Sequence, residues 1–541
     1  MRIDPINFSD ANPLVADYKA DNKSVHDKFD FNPANESDWL KRAEDIQDNH
    51  YKREELTEVL TQLNDRWNAS APTFQNIKKL EDKRTTAIVA GQQAGLLTGP
   101  LYTVHKIISV LQMAKLKEKE LGSPVVPVFW IAGEDHDFAE INHIYMKNNQ
   151  SMEKLQVDTE VNEKSSVSDL IFNDHDVIAW LDKVFNHLQE TEYTSSVYSS
   201  FKDVIKTSSS FTDFFAKVIH KLFPREGLIL LDAHDREIRK LEGSYFKEMV
   251  YHNEQIAQSV YSSEQKIKQE GYPISLFSSA NDANLFLHKD GERVLLVRDE
   301  DGFFKGKKGE VSLSKDDLLS LAEQEPWRLS NNVVTRPLMQ ELLLPVLGFV
   351  GGPGEINYWA ALKPAFHTLN LRMPPVIPRL SFTLLDRASD KRLRDYEIDV
   401  GAGVQQGTGP NKLNWIATLG EQPIDKLAEE MKKEIENIHK PLRNKAADLG
   451  PDMKALADKN LEYIHQSIGF LQKRMLKSTE ENYERELRVF DELNLLLRPG
   501  GALQERMWSI VPWVNMYGID VFERVCSREL SFDHTHFVVR F

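Results

Sequence analysis

A single cysteine, Cys526, is all that 541 residues provide, which excludes an internal disulfide and any zinc site built on several cysteines. Cys526 itself reads as a small buried hydrophobe, with no base beside it in sequence to make it a nucleophile. Long apolar runs are missing too. The greasiest stretch, Leu342 to Val350, is short and broken by Pro345, so no membrane span is expected. The opening residues, Met1 to Asp10, carry acids and an early Pro5 instead of a basic stretch leading into an apolar one, so no secretory signal is expected. Positive charge is in deficit: the formal balance is −16 with no dense Lys/Arg block, which argues against nucleic acid as a partner. These absences together suit a reducing, cytoplasmic setting.

What is present is globular material. Hydrophobic residues make up 41% and charged residues 28%, so the chain is neither disordered nor fibrous, and its length suits roughly three or four domains. Between Trp39 and Leu80, apolar residues at Leu56, Val59, Leu60, Leu63 and Trp67 keep helical spacing, predicting an N-terminal helical layer over 1–84. At Thr85 the texture changes. A β-branched run into Gly91, a loop of small residues, a helical pattern from about Thr103 to Leu121 and a second strand at Val125 to Ile131 make a βαβ unit. Further strand candidates at Gly227 to Leu231, Arg293 to Arg298, around Phe349 and at Val376 to Leu380 alternate with helical segments. The expectation is an α/β core over 85–385, an open, mostly parallel sheet with helices on both faces. A polar excursion at about 148–225 is inserted in it.

The next texture is helical. Leu427, Met431, Ile435, Ile438, Leu442, Ala446 and Leu449 recur every three or four residues, Gly450 and Pro451 mark a turn, and Ile464, Ile468, Leu471, Met475, Tyr483, Leu487 and Phe490 continue a second helix up to Pro499. This predicts a long antiparallel α-helical coiled-coil hairpin within 386–498, with a stutter after Met475. Such an arm is either a packed pair with solvated faces or a device that pairs two subunits. Residues 499–541 are expected to return to the core.

Three loops carry the chemistry. The first runs from Gly91 through Gln92, Gln93, Gly95, Thr98, Gly99 and Tyr102 to His105 and Lys106. Its glycines admit a ligand close to the backbone, and the helix opening near Tyr102 aims free N–H groups at an anion. His105 and Lys106 stand in the first helical turn, where cations are disfavoured unless something anionic compensates. The loop carries neither the dinucleotide fingerprint nor the Walker lysine pattern. The second loop, Gly133 to Asp137, packs Glu134, Asp135 and Asp137 around His136. Three carboxylates at a strand end need water, a metal or a cationic substrate, and His136 suits a general base or proton shuttle. With His143, the pair His136 and Asp137 also permits a metal-ligand reading, although the spacing matches no specific motif.

The third loop, Gly351 to Tyr358, contains Gly352, Gly354, Glu355 and Tyr358 and follows Arg336, which could clamp a carboxylate or phosphate. Near the C-terminus, Arg498, Trp508 and Trp513 either stack on an adenine or lock the terminal segment to the core.

Taken together, the Gly91–Gln93, Gly133–Asp137 and Gly351–Glu355 loops resemble those of the BshC family, cysteine ligases of bacillithiol biosynthesis, over essentially the full chain. The resemblance implies a Rossmann-like core, a coiled-coil hairpin and a homodimer. It also implies a reaction that adds cysteine to glucosaminyl-malate by amide formation between the cysteine carboxylate and the glucosamine amine. That family is similar to class I nucleotidyl transferases, whose adenylating loop has a Thr–Gly opening and two histidines, the second preceded by glycine. Here Thr98, Gly99 and His105 are kept, whereas Tyr102 replaces the first histidine and Val104 the glycine. A valine there would crowd a nucleoside lying on the backbone.

Amine and carboxylate form a salt at neutral pH, so an activating donor, ATP or another phosphoryl donor, is expected. His136, Asp135, Asp137 and Glu134 are the catalytic candidates. Gln92, Gln93, Thr98, Tyr102, His105, Lys106, Arg336, Gly352, Gly354, Glu355 and Tyr358 are the candidates for binding substrate, and Arg498, Trp508 and Trp513 for binding a nucleotide. No resident metal is expected. Two other classes stay open: a metal-dependent amidase or deacetylase using His136, Asp137 and His143, and a non-catalytic coiled-coil scaffold.

Overall fold

The computed structural model describes residues 1–159, 164–419, 424–533 and 536–541. The chain forms two compact units. One comprises Ile3–Thr383 with Glu505–Val539, and the other comprises Leu384–Gln504 with the extreme ends of the chain.

The first unit is built on a five-stranded parallel sheet. In chain order its relevant elements are β1 (Thr86–Gln92), α1 (Tyr102–Leu121), β2 (Val125–Ile131), β3 (Ile229–Asp232), α2 (Thr335–Leu343), β4 (Val346–Gly351), α3 (Pro353–Trp359) and β5 (Val376–Pro378). The strand order is β5-β4-β1-β2-β3, and every pairing is parallel. All seven residues of β2 are buried, as they must be in a strand covered on both faces. Pro127 is tolerated because the β3 pairing starts one residue later, at Val128, so the missing donor falls where β2 has one partner only. Because β1 has β2 on one side and β4 on the other, the strand order reverses there. That leaves a crevice at the carboxyl ends of β1 and β4.

One expectation needs correction. The run Arg293–Arg298 is not part of this sheet. It lies in Glu292–Arg298, which pairs antiparallel with Asp282–Lys289 in a second five-stranded sheet. The turn between them is Asp290–Gly291, with φ of 52° and 78°, the left-handed pair that a two-residue hairpin requires.

The N-terminal helices Glu36–Gln47, Arg53–Arg66 and Ala71–Lys79 belong to the same unit. Arg42 fastens the first of them. Fully buried, it donates from Nε and Nη2 to Val346 O at 3.0 and 2.7 Å and pairs with the equally buried Glu341. It therefore joins the helical layer to both α2 and β4.

In the second unit, α4 (Ile424–Leu449) and α5 (Pro451–Asn482) form the antiparallel hairpin. Gln472 bonds Asp425 at 2.6 Å and His439 bonds Asn460 at 3.0 Å, which fixes the antiparallel register. The second helix does not run unbroken to Pro499: it stops at Asn482, turns at Tyr483 (φ −116°, ψ 26°) and restarts as Glu484–Leu497. Several apolar side chains of the hairpin stay uncovered in the single chain, with Ile438 77%, Leu442 63% and Phe470 69% exposed.

Arg42→Ala would leave Glu341 and the Val346 carbonyl buried without their partner. A loss of about 3–5 kcal/mol in urea unfolding is expected; a loss below about 1 kcal/mol would mean that the pair carries no weight in joining the layers.

Candidate active site

A cavity of about 390 Å³ opens at the β1/β4 crevice. It lies within the range of small-molecule sites. The three loops singled out from the sequence meet there: Gln92 at the end of β1 with Gln93 after it, Asp135 after β2, and Gly352, Gly354, Glu355 and Tyr358 after β4 all line it, as do Tyr102, Lys106 and Arg336.

Lys106 holds two of the loops together. Its ammonium is almost wholly buried and donates to Gly91 O at 2.8 Å, Gln92 Oε1 at 3.0 Å and Glu355 Oε2 at 2.7 Å. Burial lowers the lysine pKa, and Glu355 opposes that shift. The same Glu355 oxygen accepts from Gly352 N at 2.8 Å, so it caps α3 as well. Glycine at position 91 is demanded by a close approach, since a Cβ there would meet Trp130 O at 3.0 Å. The conflict between a cation and the start of α1 is thus answered by an anion borrowed from another loop.

The acidic loop is also answered, by guanidinium groups. Asp135 Oδ1 accepts from Arg336 Nη2 at 2.8 Å and Arg293 Nη1 at 3.1 Å. Although burial opposes it, the two arginines hold the Asp135 carboxyl below its ordinary value. Glu134 is fully buried behind it, 3.3 Å from Arg336 Nε and 3.8 Å from Arg239 Nη2. His136 and Asp137 do not line the cavity. The side chain of Asp137 is 57% exposed, and His136 connects to the cavity through Arg293 Nη1, 3.4 Å from its Nδ1. Arg336 is therefore a member of a buried charge network and not a surface pair.

His105 lies behind the cavity. Its Nδ1 stands 2.8 Å from Glu505 Oε2, and burial lowers the imidazole pKa against the opposing pull of Glu505. A neutral ring can satisfy that carboxylate only by donating from Nδ1, which leaves Nε2 buried without a partner. Thr98 is also buried, its Oγ1 unpartnered, and it follows Leu97 in a left-handed pair with φ of 69° and 45°. Two non-glycine residues in that region mark a strained loop. Burial raises the phenol pKa of Tyr102 and of Tyr358, so both stay protonated and able to donate a hydrogen bond.

Several lining residues had no local signal. Arg379 follows β5 and Arg506 comes from the C-terminal segment; both face the cavity. Arg379 forms a two-pronged pair with Glu505, which also accepts from Ser381 at 3.0 Å. Arg379 could have been sought because it ends a parallel strand, whereas nothing near Glu505 in sequence points to His105. Trp508 and Trp513, two of the residues expected to bind a nucleotide, do not line this cavity. Trp508 and Trp513 are buried against each other with ring centroids 6.2 Å apart, and Arg498, in the helical unit, donates to Val404 O at 2.9 Å. The metal-ligand alternative does not assemble either. Among the described residues, the group of histidines and acids close enough to share an ion is Asp169, His234 and His288, and His143 is turned to Asn142 and Tyr145.

With Lys106, Arg336, Arg379 and Arg506 on its walls beside Asp135 and Glu355, the cavity can hold a multiply charged acid and, next to it, an ammonium group.

Glu505 provides a test of this electrostatic frame. Although burial pushes the other way, Arg379 and then His105 hold its carboxyl well below the usual carboxylate value of 4.5. A depressed folded pKa gives stability that is present above the unfolded value and drains as pH falls through the folded one. Glu505→Gln is expected to unfold at lower urea concentration than the parent at neutral pH, with a gap that narrows only below about pH 4. A gap already closed at about pH 5.5 would contradict the pairing.

Comparison with known proteins places these features in a family. Residues 1–380 match the model described as "Bacillithiol biosynthesis BshC, N-terminal Rossmann-like domain", and residues 382–541 match "Bacillithiol biosynthesis BshC, C-terminal coiled-coil domain". A relative from Oceanobacillus iheyensis is 41% identical over 543 residues, covering 100% of both chains. One from Bacillus cereus is 39% identical over 527 residues, covering 97% of this chain and 98% of its own. Both are named BshC and described provisionally as cysteine ligases. A crystal structure from Campylobacter jejuni, described provisionally as an arginyl tRNA synthetase, covers 84% of this chain and 98% of its own at 11% identity. Its TM-score of 0.24 is too low to argue from.

Proposed function

The chain belongs to the BshC family of bacillithiol biosynthesis, and from that premise we propose that it joins cysteine to glucosaminyl-malate through an amide bond. The observation that carries this reading is the cavity wall, where guanidinium and ammonium groups stand beside Asp135 and Glu355. Arg336, Arg379 and Arg506 receive the malate carboxylates. The glutamines Gln92, Gln93 and Gln340 face the same space and suit sugar hydroxyls.

In this reaction an oxygen of the cysteine carboxylate first attacks the phosphorus of ATP or another phosphoryl donor, the P–O bond to pyrophosphate or to the rest of the donor breaks, and the carboxylate becomes an acyl group with a good leaving group. The glucosamine nitrogen, held as ammonium near Asp135, gives up a proton and attacks the acyl carbon. The C–N bond forms as the C–O bond to the phosphoryl group breaks. His136 or the cavity-lining Asp135 of the same loop takes the first proton, and the second leaves with the released phosphoryl group as the amide forms. Tyr102, Tyr358 and the start of α1 supply hydrogen bonds to the developing charge. The single cysteine of the chain, Cys526, is buried, and burial pushes its thiol up to about 12, so the reactive thiol is the substrate's. A cytoplasmic setting and a homodimer complete the reading; the uncovered Ile438, Leu442 and Phe470 on the hairpin support the dimer.

Purified protein given glucosaminyl-malate, cysteine and ATP is expected to form the cysteinyl product. Cysteine labelled with oxygen-18 in its carboxylate should deliver one label to the AMP or phosphate released. Failure to form product with ATP and with other phosphoryl donors would sink the proposal. His136→Ala should lower kcat by about 10²–10⁴-fold, and a normal rate would remove His136 from proton transfer. Ile438→Asp combined with Leu442→Asp should convert a dimer to a monomer in light scattering, and an unchanged mass would place any subunit contact elsewhere.

A further inference from the structure

A second cavity, of about 550 Å³, lies outside the one just described and shares none of its lining residues. Three segments far apart in sequence meet there. Asp169 ends the short turn Val167–Asp169, His234 precedes the helix Arg236–Tyr251, and His288 lies on the strand Asp282–Lys289. One potential ligand atom from each lies within 4.8 Å of the other two.

Each side chain is poised in its own way. His234 brings Nε2 to 2.8 Å from Asp169 Oδ2, while its Nδ1 is shut away from solvent with no hydrogen-bond partner. The two imidazole centroids are 5.0 Å apart. His288 Nε2 stands 2.8 Å from Ser330 Oγ, which also accepts from Arg293 Nε at 3.1 Å. With Ser330 accepting from both, His288 Nδ1 keeps its lone pair, 3.4 Å from a Ser166 Oγ that donates to the Glu134 carbonyl at 3.1 Å, and the ring is fixed by a hydrogen bond of the kind that orients metal-bound histidines. The local charge also permits a cation, because the lining carries five aspartates against three arginines. Asp232 is 4% exposed and Asp169 58%, so one acid is sealed within the wall and the other stands at the entrance.

We propose that Asp169, His234 and His288 form a binding site for one divalent transition-metal ion of the zinc class, acting as a staple outside the reacting cavity. Two imidazoles and one carboxylate suit zinc and its neighbours better than calcium or magnesium, which take oxygen ligands. Three protein ligands leave a coordination position for water. The ion would tie the antiparallel sheet to the turn Val167–Asp169 and to the segment that follows β3. It would also brace the reacting cavity indirectly, since Ser330 links His288 to Arg293 and Arg293 holds Asp135.

The test uses the full-length protein stripped with a chelator and titrated with zinc chloride by calorimetry, and with cobalt(II) by absorbance. One equivalent should bind, and the cobalt complex should show the visible bands of a four-coordinate nitrogen–oxygen site. Asp169→Asn changes an exposed carboxylate and keeps the fold. With His234→Ala it should weaken zinc at least about 100-fold, whereas His175→Ala, at a histidine 89% exposed, should leave the equivalent in place. The parent protein should gain several degrees of thermal midpoint on adding zinc, and Asp169→Asn should not. No zinc uptake by the parent would overturn the proposal, and so would uptake that Asp169→Asn and His234→Ala leave unchanged. Because binding and thermal shift are read without turnover, the result does not depend on which reaction the first cavity performs.

Discussion

A lysine ammonium shut away from water must find acceptors, and Lys106 finds them on two different loops. Gly91 O and Gln92 Oε1 belong to the end of β1, and Glu355 belongs to the start of α3 after β4. Strands β1 and β4 are the neighbours between which the sheet changes direction, so one buried cation closes the crevice that the topology opens. Removing it would leave Glu355 holding only the Gly352 amide and would let the two loops part. The same logic recurs behind the cavity, where Glu505 gathers Arg379, His105 and Ser381 and so ties the C-terminal segment to the strand ends.

The sheet is thus a rigid floor, and the site on it consists of charges that neutralise one another in pairs. Arg336 is paired with Asp135, Arg379 with Glu505, and Lys106 with Glu355. Such pairing keeps groups ionised within a largely buried wall, where isolated charges would be forced to neutralise. It also pre-orients donors for an anionic ligand, so little reorganisation is required when one arrives.

Much of this was legible in the sequence, and the reason is local. Glycine loops after β-branched runs, a Gly-Pro turn between helical repeats and an acidic cluster at a strand end are all short-range patterns. They located β1, β2, β4 and the hairpin, together with most of the cavity lining. Long-range pairing was out of reach. His105 and Glu505 are separated by 400 positions, and Arg379 and Glu505 by 126, with no periodicity to join them. The antiparallel sheet was missed for another reason: Asp290–Gly291 announces a hairpin, but the strand after it was assigned to the parallel sheet by alternation alone. The helix break at Tyr483 was half visible, as a slip in the apolar repeat after Met475.

The double hold on Asp135 makes the cavity sensitive to its own occupancy. An anion docking on Arg336 shares the charge that now holds Asp135, which Arg293 grips as well. Each acid that docks there hands Asp135 back part of the basicity that Arg336 had withheld. An empty cavity therefore keeps its acceptor muted, and an occupied one restores it.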